Sequence, residues 1–364
     1  MRKDKLDVRR LVILAEGSFS VFKAKTAVGV IRYSPNKTVA VIDSTHAGKT
    51  VQDVLGFGGE IPIVASVSDS LQFQPDTLLI GIAPTGGQLP PHFRKEVLCA
   101  IEHGLDVWSG LHEFLSEDSE LSHAANAAGV TIWDVRKPRT GLVVASGRAL
   151  HTRAFVVLTV GTDCNSGKMT TALELEKFAQ GRGWDARFVA TGQTGILIEG
   201  KGTPLDAVPG DFMAGEVECL VMEHDAEGAD VIFVEGQGAL LHPGFGPVTL
   251  ALMLGAMPDA MLLCHVEGRT TYRPDHTVPL PSMSLVIQTY EALLQPYKAP
   301  RIHGICLNTV ELTDAEAKRA IEQRKAESGL PVCDPVRTGV AEIWEALEPL
   351  VRQKRSQTKA AKSV

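Results

Sequence analysis

Short apolar runs recur along the chain, each bounded by glycine, proline or small polar residues and separated by stretches whose apolar positions repeat every three or four residues. Such a run reads as a buried strand and the longer period between runs as a covering helix, so their alternation predicts a parallel sheet with helices on its faces. In the first half, strands are expected at Leu11–Ala15, Thr38–Asp43, Ile63–Ser66, Thr77–Ile82 and Asp106–Trp108. Two of them lead into Asp43-Ser44-Thr45-His46-Ala47-Gly48 and Ala83-Pro84-Thr85-Gly86-Gly87, where a doubly wound sheet places its ligand crevice. This half reads as Rossmann-like, although no GxGxxG follows the first strand and a dinucleotide site is not assigned. The stretch His46-Ala47-Gly48-Lys49-Thr50 ends like a phosphate loop but lacks the upstream glycine, so it reads as an ordinary strand-to-helix turn.

The alternation breaks at Arg136-Lys137-Pro138-Arg139-Thr140-Gly141, a charged, turn-rich stretch that reads as a linker. It then resumes, with strands expected at Ala154–Val160, Ala186–Ala190, Val231–Glu235, Ala260–His265 and Ile302–Asn308. Thr313 and Glu316 have capping-box spacing and open a helix expected to run to about Ser328. The expected fold is α/β: an N-terminal Rossmann-like parallel-sheet domain over residues 1–140, followed by a P-loop NTPase-like α/β domain over 141–350. Residues 351–364 are expected to form a basic disordered tail.

Composition narrows the class. At 364 residues the chain is long enough for two domains of about 150 residues each. Gly and Pro interrupt every apolar run well before the ~18 residues of a membrane helix, and a soluble protein with no membrane partner is expected. The N-terminus MRKDKLDVRR is followed only by the short run Leu11–Ala15, too brief for a signal peptide, so a cytoplasmic location is expected. A net charge of −7 argues against a nucleic-acid partner, and the basic run Arg352–Lys362 reads as a solubilising tail. The six cysteines, Cys99, Cys164, Cys219, Cys264, Cys306 and Cys333, form no CxxC pair, so neither disulfides nor a zinc site are expected.

The chemistry concentrates in the second half. The segment Gly161-Thr162-Asp163-Cys164-Asn165-Ser166-Gly167-Lys168-Met169-Thr170-Thr171 follows an apolar strand and opens a helix whose apolar face includes Leu173, Leu175 and Phe178. That is the context of a P-loop: glycines let backbone amides turn toward phosphate oxygens, Lys168 adds a point charge, and the helix N-terminus supplies a favourable dipole. The loop is one residue longer than GxxxxGK, and Met169 stands where Ser or Thr normally follows the lysine. No metal is assigned; Thr170 and Glu235 are the residues that would hold Mg²⁺ if nucleotide chemistry were used. A second apolar run, Asp230–Val234, ends in Glu235 and the turn Gly236-Gln237-Gly238, where a carboxylate is placed to bind a cation or to act as a base. His242, just beyond, is read either as a functional group or as a structural hydrogen-bonder.

Taken together, GTDCNSGK, VEGQGALLHP and the strand-end Asn308 resemble dethiobiotin synthetase and its P-loop relatives. That resemblance implies phosphate or metal roles for Asp163, Lys168 and Glu235, adenine recognition by Asn308, and ATP/Mg-dependent ligase or kinase chemistry. Those enzymes carry threonine directly after the loop lysine, where this chain has Met169. A second resemblance covers nearly the whole chain. IDSTHAGKT, IAPTGG and SGLHEFL in the first half, with GTDCNSGKMTTALEL, TGQTG and VEGQGALLHP in the second, are similar to a bacterial family associated with D-glutamate N-acetyltransferase. It implies acetyl transfer from acetyl-CoA to the amine of D-glutamate, coupled metabolically to an enzyme that oxidises the N-acetyl product.

On that reading a P-loop holds the phosphates of CoA without hydrolysing anything, and Mg²⁺ is dispensable. The amine needs a base and the thioester oxyanion needs donors. Glu235, Asp163 and His242 are the candidate bases, with backbone amides in Gly236–Gly238 or Gly192–Gly195 as donors. Two carboxylates on the acceptor suit guanidinium forks, and Arg269 and Arg273, after the Ala260–His265 strand, are the chosen pair. Gln193 and Thr194, within Thr191-Gly192-Gln193-Thr194-Gly195, are expected to line the same crevice. Asp211 and Glu216, within Asp206–Glu218, belong either to a lid or to an acidic surface loop. A homodimer or larger homo-oligomer is the expected assembly. A nucleotide sensor without catalysis is the third reading; it gives Glu235 and the arginines no reaction to serve.

Overall fold

The computed structural model describes residues 8–84, 86–274 and 277–361, with 359–361 described by backbone alone. The N-terminus before Val8, Thr85 in the strand-end turn and the last three residues of the tail lie outside the described residues. The chain divides into two compact units.

The first unit comprises the chain through Arg139 together with Gly192–Ala207. Its sheet holds β1 (Arg10–Leu14), β2 (Lys37–Ile42), β3 (Ile63–Val64), β4 (Thr77–Ile80), β5 (Asp106–Ser109) and β6 (Ile132–Asp134). All are parallel, in the order β3-β2-β1-β4-β5-β6. The order reverses between β1 and β4, which is the switch point of a Rossmann-like sheet. Residues Leu11–Leu14 are 0% exposed, so both faces of the central strand are covered and the run is continuously apolar rather than alternating. The sequence reading missed β6, a three-residue edge strand too short to show a period. At the end of β2, buried Asp43 accepts hydrogen bonds from the amides of Phe19 (2.8 Å) and Thr45 (2.9 Å), bracing two turns. Thr50 caps the helix Val51–Leu55 in a reciprocal box with Asp53, which accounts for the HAGKT stretch as a turn.

Sequence order misled at one place. Residues 192–207 fall within the range expected for the second domain, but the helix Gln193–Glu199 packs on the helix Lys25–Tyr33 and belongs to the first unit. Its Ile196, Leu197 and Ile198 are buried, and Thr194 Oγ1 lies 3.2 Å from Thr26 Oγ1.

The second unit comprises Thr140–Thr191 and the chain from Val208 onward. Its strands are β7 (Phe155–Gly161), β8 (Ala186–Val189), β9 (Val231–Val234), β10 (Ala260–Val266), β11 (Arg301–Asn308) and β12 (Val332–Cys333). They are all parallel, in the order β12-β11-β10-β7-β9-β8. The two-residue β12 also escaped the sequence reading. Thr313 and Glu316 form the expected capping box on the helix Asp314–Ser328. The Asp206–Glu218 segment is neither lid nor acidic surface loop from Gly210 onward. It enters the helix Gly210–Ala226, where Glu216 and Glu218 are each 1% exposed and Glu218 accepts bonds from the Ser146 and Arg148 amides.

The expected disordered tail is corrected too. A helix runs from Ala341 to Ala361, and three of its basic residues, Arg352, Lys354 and Arg355, make contacts with the second unit's fold. Lys354 Nζ reaches Asp259 Oδ2 at 2.6 Å, Arg355 pairs with Asp230 at 3.0 Å, and both Arg352 and Arg355 lie over the Trp184 ring. Burial lowers the Lys354 pKa to about 8, against the pull of Asp259. Truncation before Arg352 is therefore expected to cost about 1–3 kcal/mol of stability, read by denaturant unfolding. A solvated tail would leave the midpoint unchanged.

Candidate phosphate-binding site

Strand β7 lies between β9 and β10, with all seven residues buried, so the chain leaves its end at the centre of the sheet. The turn that follows needs two left-handed residues, Asn165 (φ 54°) and Gly167 (φ 97°), before the helix Lys168–Gly181 begins. Asparagine and glycine are the types that accept this conformation at least cost. The turn after β9 passes so close that a Cβ on Gly236 would lie 1.7 Å from the Thr159 carbonyl oxygen. The Gly236 amide donates to Thr159 Oγ1 at 3.0 Å, and the Thr162 amide donates to the Cys264 carbonyl at 3.1 Å. The loops after β7, β9 and β10 thus meet at the C-terminal ends of the central strands.

Lys168 is 6% exposed, and its ammonium donates to the Asp163 carbonyl (2.9 Å) and to Ser166 Oγ (3.3 Å). Burial holds its pKa below the ordinary lysine range, opposed by the nearby Cys164, Cys264, Asp163 and Glu235. A dehydrated cation at a helix N-terminus is a site for a multiply charged anion. Tyr290, which no sequence pattern announced, braces the site from behind: its hydroxyl donates to the Gly161 carbonyl (2.8 Å) and accepts the Leu240 amide (2.9 Å).

The candidate bases occupy different surroundings. Asp163 is fully buried; Oδ1 accepts the Cys164 amide (2.7 Å), and Oδ2 accepts Arg269 Nη1 (2.8 Å) and the Arg273 amide (3.0 Å). His242 accepts the Gly244 and Phe245 amides on Nδ1 (3.0 and 3.2 Å) and donates from Nε2 to the Arg273 carbonyl (2.7 Å). It holds its turn against the Arg273 backbone, with Nε2 3.7 Å from Asp163 Oδ1. Glu235, at the end of β9, is 4% exposed, and its Oε2 accepts the Thr191 amide at 2.9 Å.

The arginine pair is split by the structure. Arg269 is committed to Asp163 and to the Cys164 carbonyl (2.7 Å), whereas Arg273 engages through its backbone and leaves its side chain exposed. Asn308 ends β11, and its Oδ1 accepts the Val310 amide at 3.1 Å. Thr171 Oγ1 accepts the Cys264 thiol at 3.4 Å inside the core, and Thr170 is half-buried. Gln193 and Thr194 lie on the helix Gln193–Glu199 of the first unit.

His265, also missed from sequence, lies at the end of β10 with Nδ1 2.8 Å from Thr162 Oγ1. Burial lowers its pKa from 6.5 to about 4, with Arg324 and Arg269 adding to the shift and Glu267 and Asp163 opposing it. Between these values the unfolded chain takes up a proton that the folded chain refuses, so stability falls as pH drops from about 6.5 to about 4 and this contribution flattens below. The loss amounts to about 3 kcal/mol. Comparing urea midpoints of the wild type and His265→Gln across pH 4–7 should show a shallower acid limb in the variant.

Residues 143–344 match the family described as the DUF1611 C-terminal P-loop domain, and residues 44–138 match its Rossmann-like N-terminal domain. A D-glutamate N-acetyltransferase from Tritonibacter scottomollicae is 38% identical over 328 residues, 89% of this chain and 94% of the relative. Another enzyme of that name, from a Pseudoalteromonas species, is 35% identical over 76% of this chain and 83% of its own length. The crystal structure of a DUF1611 family protein from Anabaena variabilis superposes with a TM-score of 0.88 at 40% identity, covering 94% of this chain and 99% of that one. Among the described residues, no helix is long and apolar enough to cross a membrane. A Rossmann-like domain, a P-loop domain and near full-length relatives agree: the chain belongs to the DUF1611 family, whose members include enzymes named D-glutamate N-acetyltransferase.

Proposed function

We propose that this protein transfers the acetyl group of acetyl-CoA to the amine of D-glutamate. The observation that carries the reading is the similarity, over 89% and 76% of the chain, to two enzymes of that name, and the buried Lys168 in its loop supports it by supplying a cradle for the CoA diphosphate. The amine gives up a proton to a base and its nitrogen attacks the thioester carbonyl. The tetrahedral intermediate then collapses with loss of the CoA thiolate, which takes up a proton. Of the three candidate bases, Glu235 fits best: Asp163 is spent on a guanidinium and two amides, and both nitrogens of His242 are engaged with backbone. The Thr191 amide orients the Glu235 carboxylate. The exposed Arg273 guanidinium is the better of the two arginines for a substrate carboxylate, since Arg269 is committed to the loop.

The test is to incubate the protein with acetyl-CoA and D- or L-glutamate, with and without Mg-ATP, following thiol release and the mass of the amino-acid product. Thiol release with N-acetyl-D-glutamate formed in the absence of ATP is the expected outcome. ATP consumption without thiol release would replace this reading with the ligase or kinase one.

A further inference from the structure

P-loop enzymes that act on nucleotides hold a divalent cation through a hydroxyl directly after the loop lysine and an acidic side chain at a neighbouring strand end. Glu235 stands at the end of β9, but the position directly after the lysine offers no hydroxyl to complete the pair. Met169 follows Lys168, and the Thr171 hydroxyl is engaged with the Cys264 thiol in the core. Ligand-type atoms of Asp163, Cys164 and His242 do lie within 4.8 Å of one another. The carboxylate and the imidazole are already engaged, however: Asp163 accepts two amides and a guanidinium, and His242 accepts on Nδ1 and donates from Nε2. A cation entering there would meet a fixed positive charge 2.8 Å from the one carboxylate of the trio.

That fixed charge has capacity to spare. A guanidinium has five N–H donors. In Arg269, Nη1 donates to Asp163 Oδ2 and the Cys164 carbonyl, and among the described residues Nε and Nη2 have no partner. The side chain is 14% exposed and pinned to the backbone of the phosphate loop itself. We propose that Arg269 is this loop's built-in substitute for the divalent cation: Asp163 fixes one edge of the guanidinium, the other edge is offered to a diphosphate, and the site takes metal-free diphosphates. The inference deepens the acetyl-CoA reading and depends on it only for which diphosphate is the natural one.

Calorimetric titration of the full chain with inorganic pyrophosphate, ADP and CoA, each in EDTA and in excess Mg²⁺, tests it. Pyrophosphate and ADP are expected to bind in EDTA at least as tightly as in Mg²⁺. Arg269→Gln should weaken binding in EDTA by at least about tenfold, the loss of one charge-assisted contact, while Arg269→Lys loses less. Because Arg269→Gln leaves Asp163 buried and unpaired, the double variant Asp163→Asn/Arg269→Gln, checked for folding by circular dichroism, should show the same tenfold loss. Mg²⁺-dependent binding by the wild type, a double variant that binds as the wild type does, or no binding of any probe would each overturn the proposal. If pyrophosphate and ADP bind in EDTA and CoA does not, the acetyl-CoA reading fails and the metal-free clamp stands.

Discussion

Lys168→Ala is expected to lower kcat/KM for thioester cleavage by roughly 100- to 1,000-fold, because removing one partner of a desolvated charge pair costs about 3–4 kcal/mol and each 1.36 kcal/mol is a factor of ten. The loss should fall chiefly on the concentration of acetyl-CoA required, since on the proposed reading the lysine would hold phosphates that do not react. Stability should move the other way. Burial already disfavours the Lys168 ammonium, so alanine removes a dehydrated charge, and the melting temperature should hold or rise. That combination separates a binding role from a structural one. A folded Lys168→Ala protein that turns over acetyl-CoA at the wild-type rate would sink the assignment of the donor to this loop. Lys168→Met, which keeps the apolar stem and drops the charge, should match alanine in activity.

The second large effect is on stability, at Arg269. Its guanidinium is the charge partner of a carboxylate with no exposure to water, and Asp163 in turn accepts the amides of Cys164 and Arg273. Arg269→Ala strands that carboxylate in a dry site at an expected cost of about 2–4 kcal/mol, somewhat below the usual range for a buried pair because the arginine is partly exposed. For a unit of this size that corresponds to a melting temperature roughly 5–15 °C lower. Asp163→Asn/Arg269→Met should recover much of the loss, because replacing both partners removes the uncompensated charge that the single change leaves. If the double variant is no more stable than Arg269→Ala, the pair does not act as a unit and the loop is held by its amides alone.

The two predictions read the same loop from opposite sides. Lys168 carries a charge that burial disfavours and an anion would stabilise, whereas Arg269 carries one that the fold has already neutralised with Asp163. Lys168→Ala should therefore move binding without loss of stability, whereas the Arg269 variants should move both, stability through Asp163 and diphosphate binding through the remaining edge of the guanidinium.

The sequence by itself determined what depends on neighbours a few positions away. Continuous apolar runs marked the central strands, since a strand covered on both faces can tolerate little else, and glycine spacing before Lys168 marked the phosphate loop. The Thr313–Glu316 cap was legible for the same reason, its two partners being three residues apart. Edge strands β6 and β12 were too short to carry a period. What only the tertiary structure decided is which partner each charged side chain spends itself on. Arg269 and Asp163 are 106 positions apart, Tyr290 and Gly161 are 129, and Lys354 and Asp259 are 95. Read along the chain, Arg269 looked like a substrate fork, His242 like a candidate base and the C-terminal basic run like a solvated tail. Folding made the first a clamp on a buried carboxylate, the second a brace between turns and the third a docked helix. A charge taken out of water must be matched by whatever packing brings to it, and strand order, not sequence distance, decides what that is.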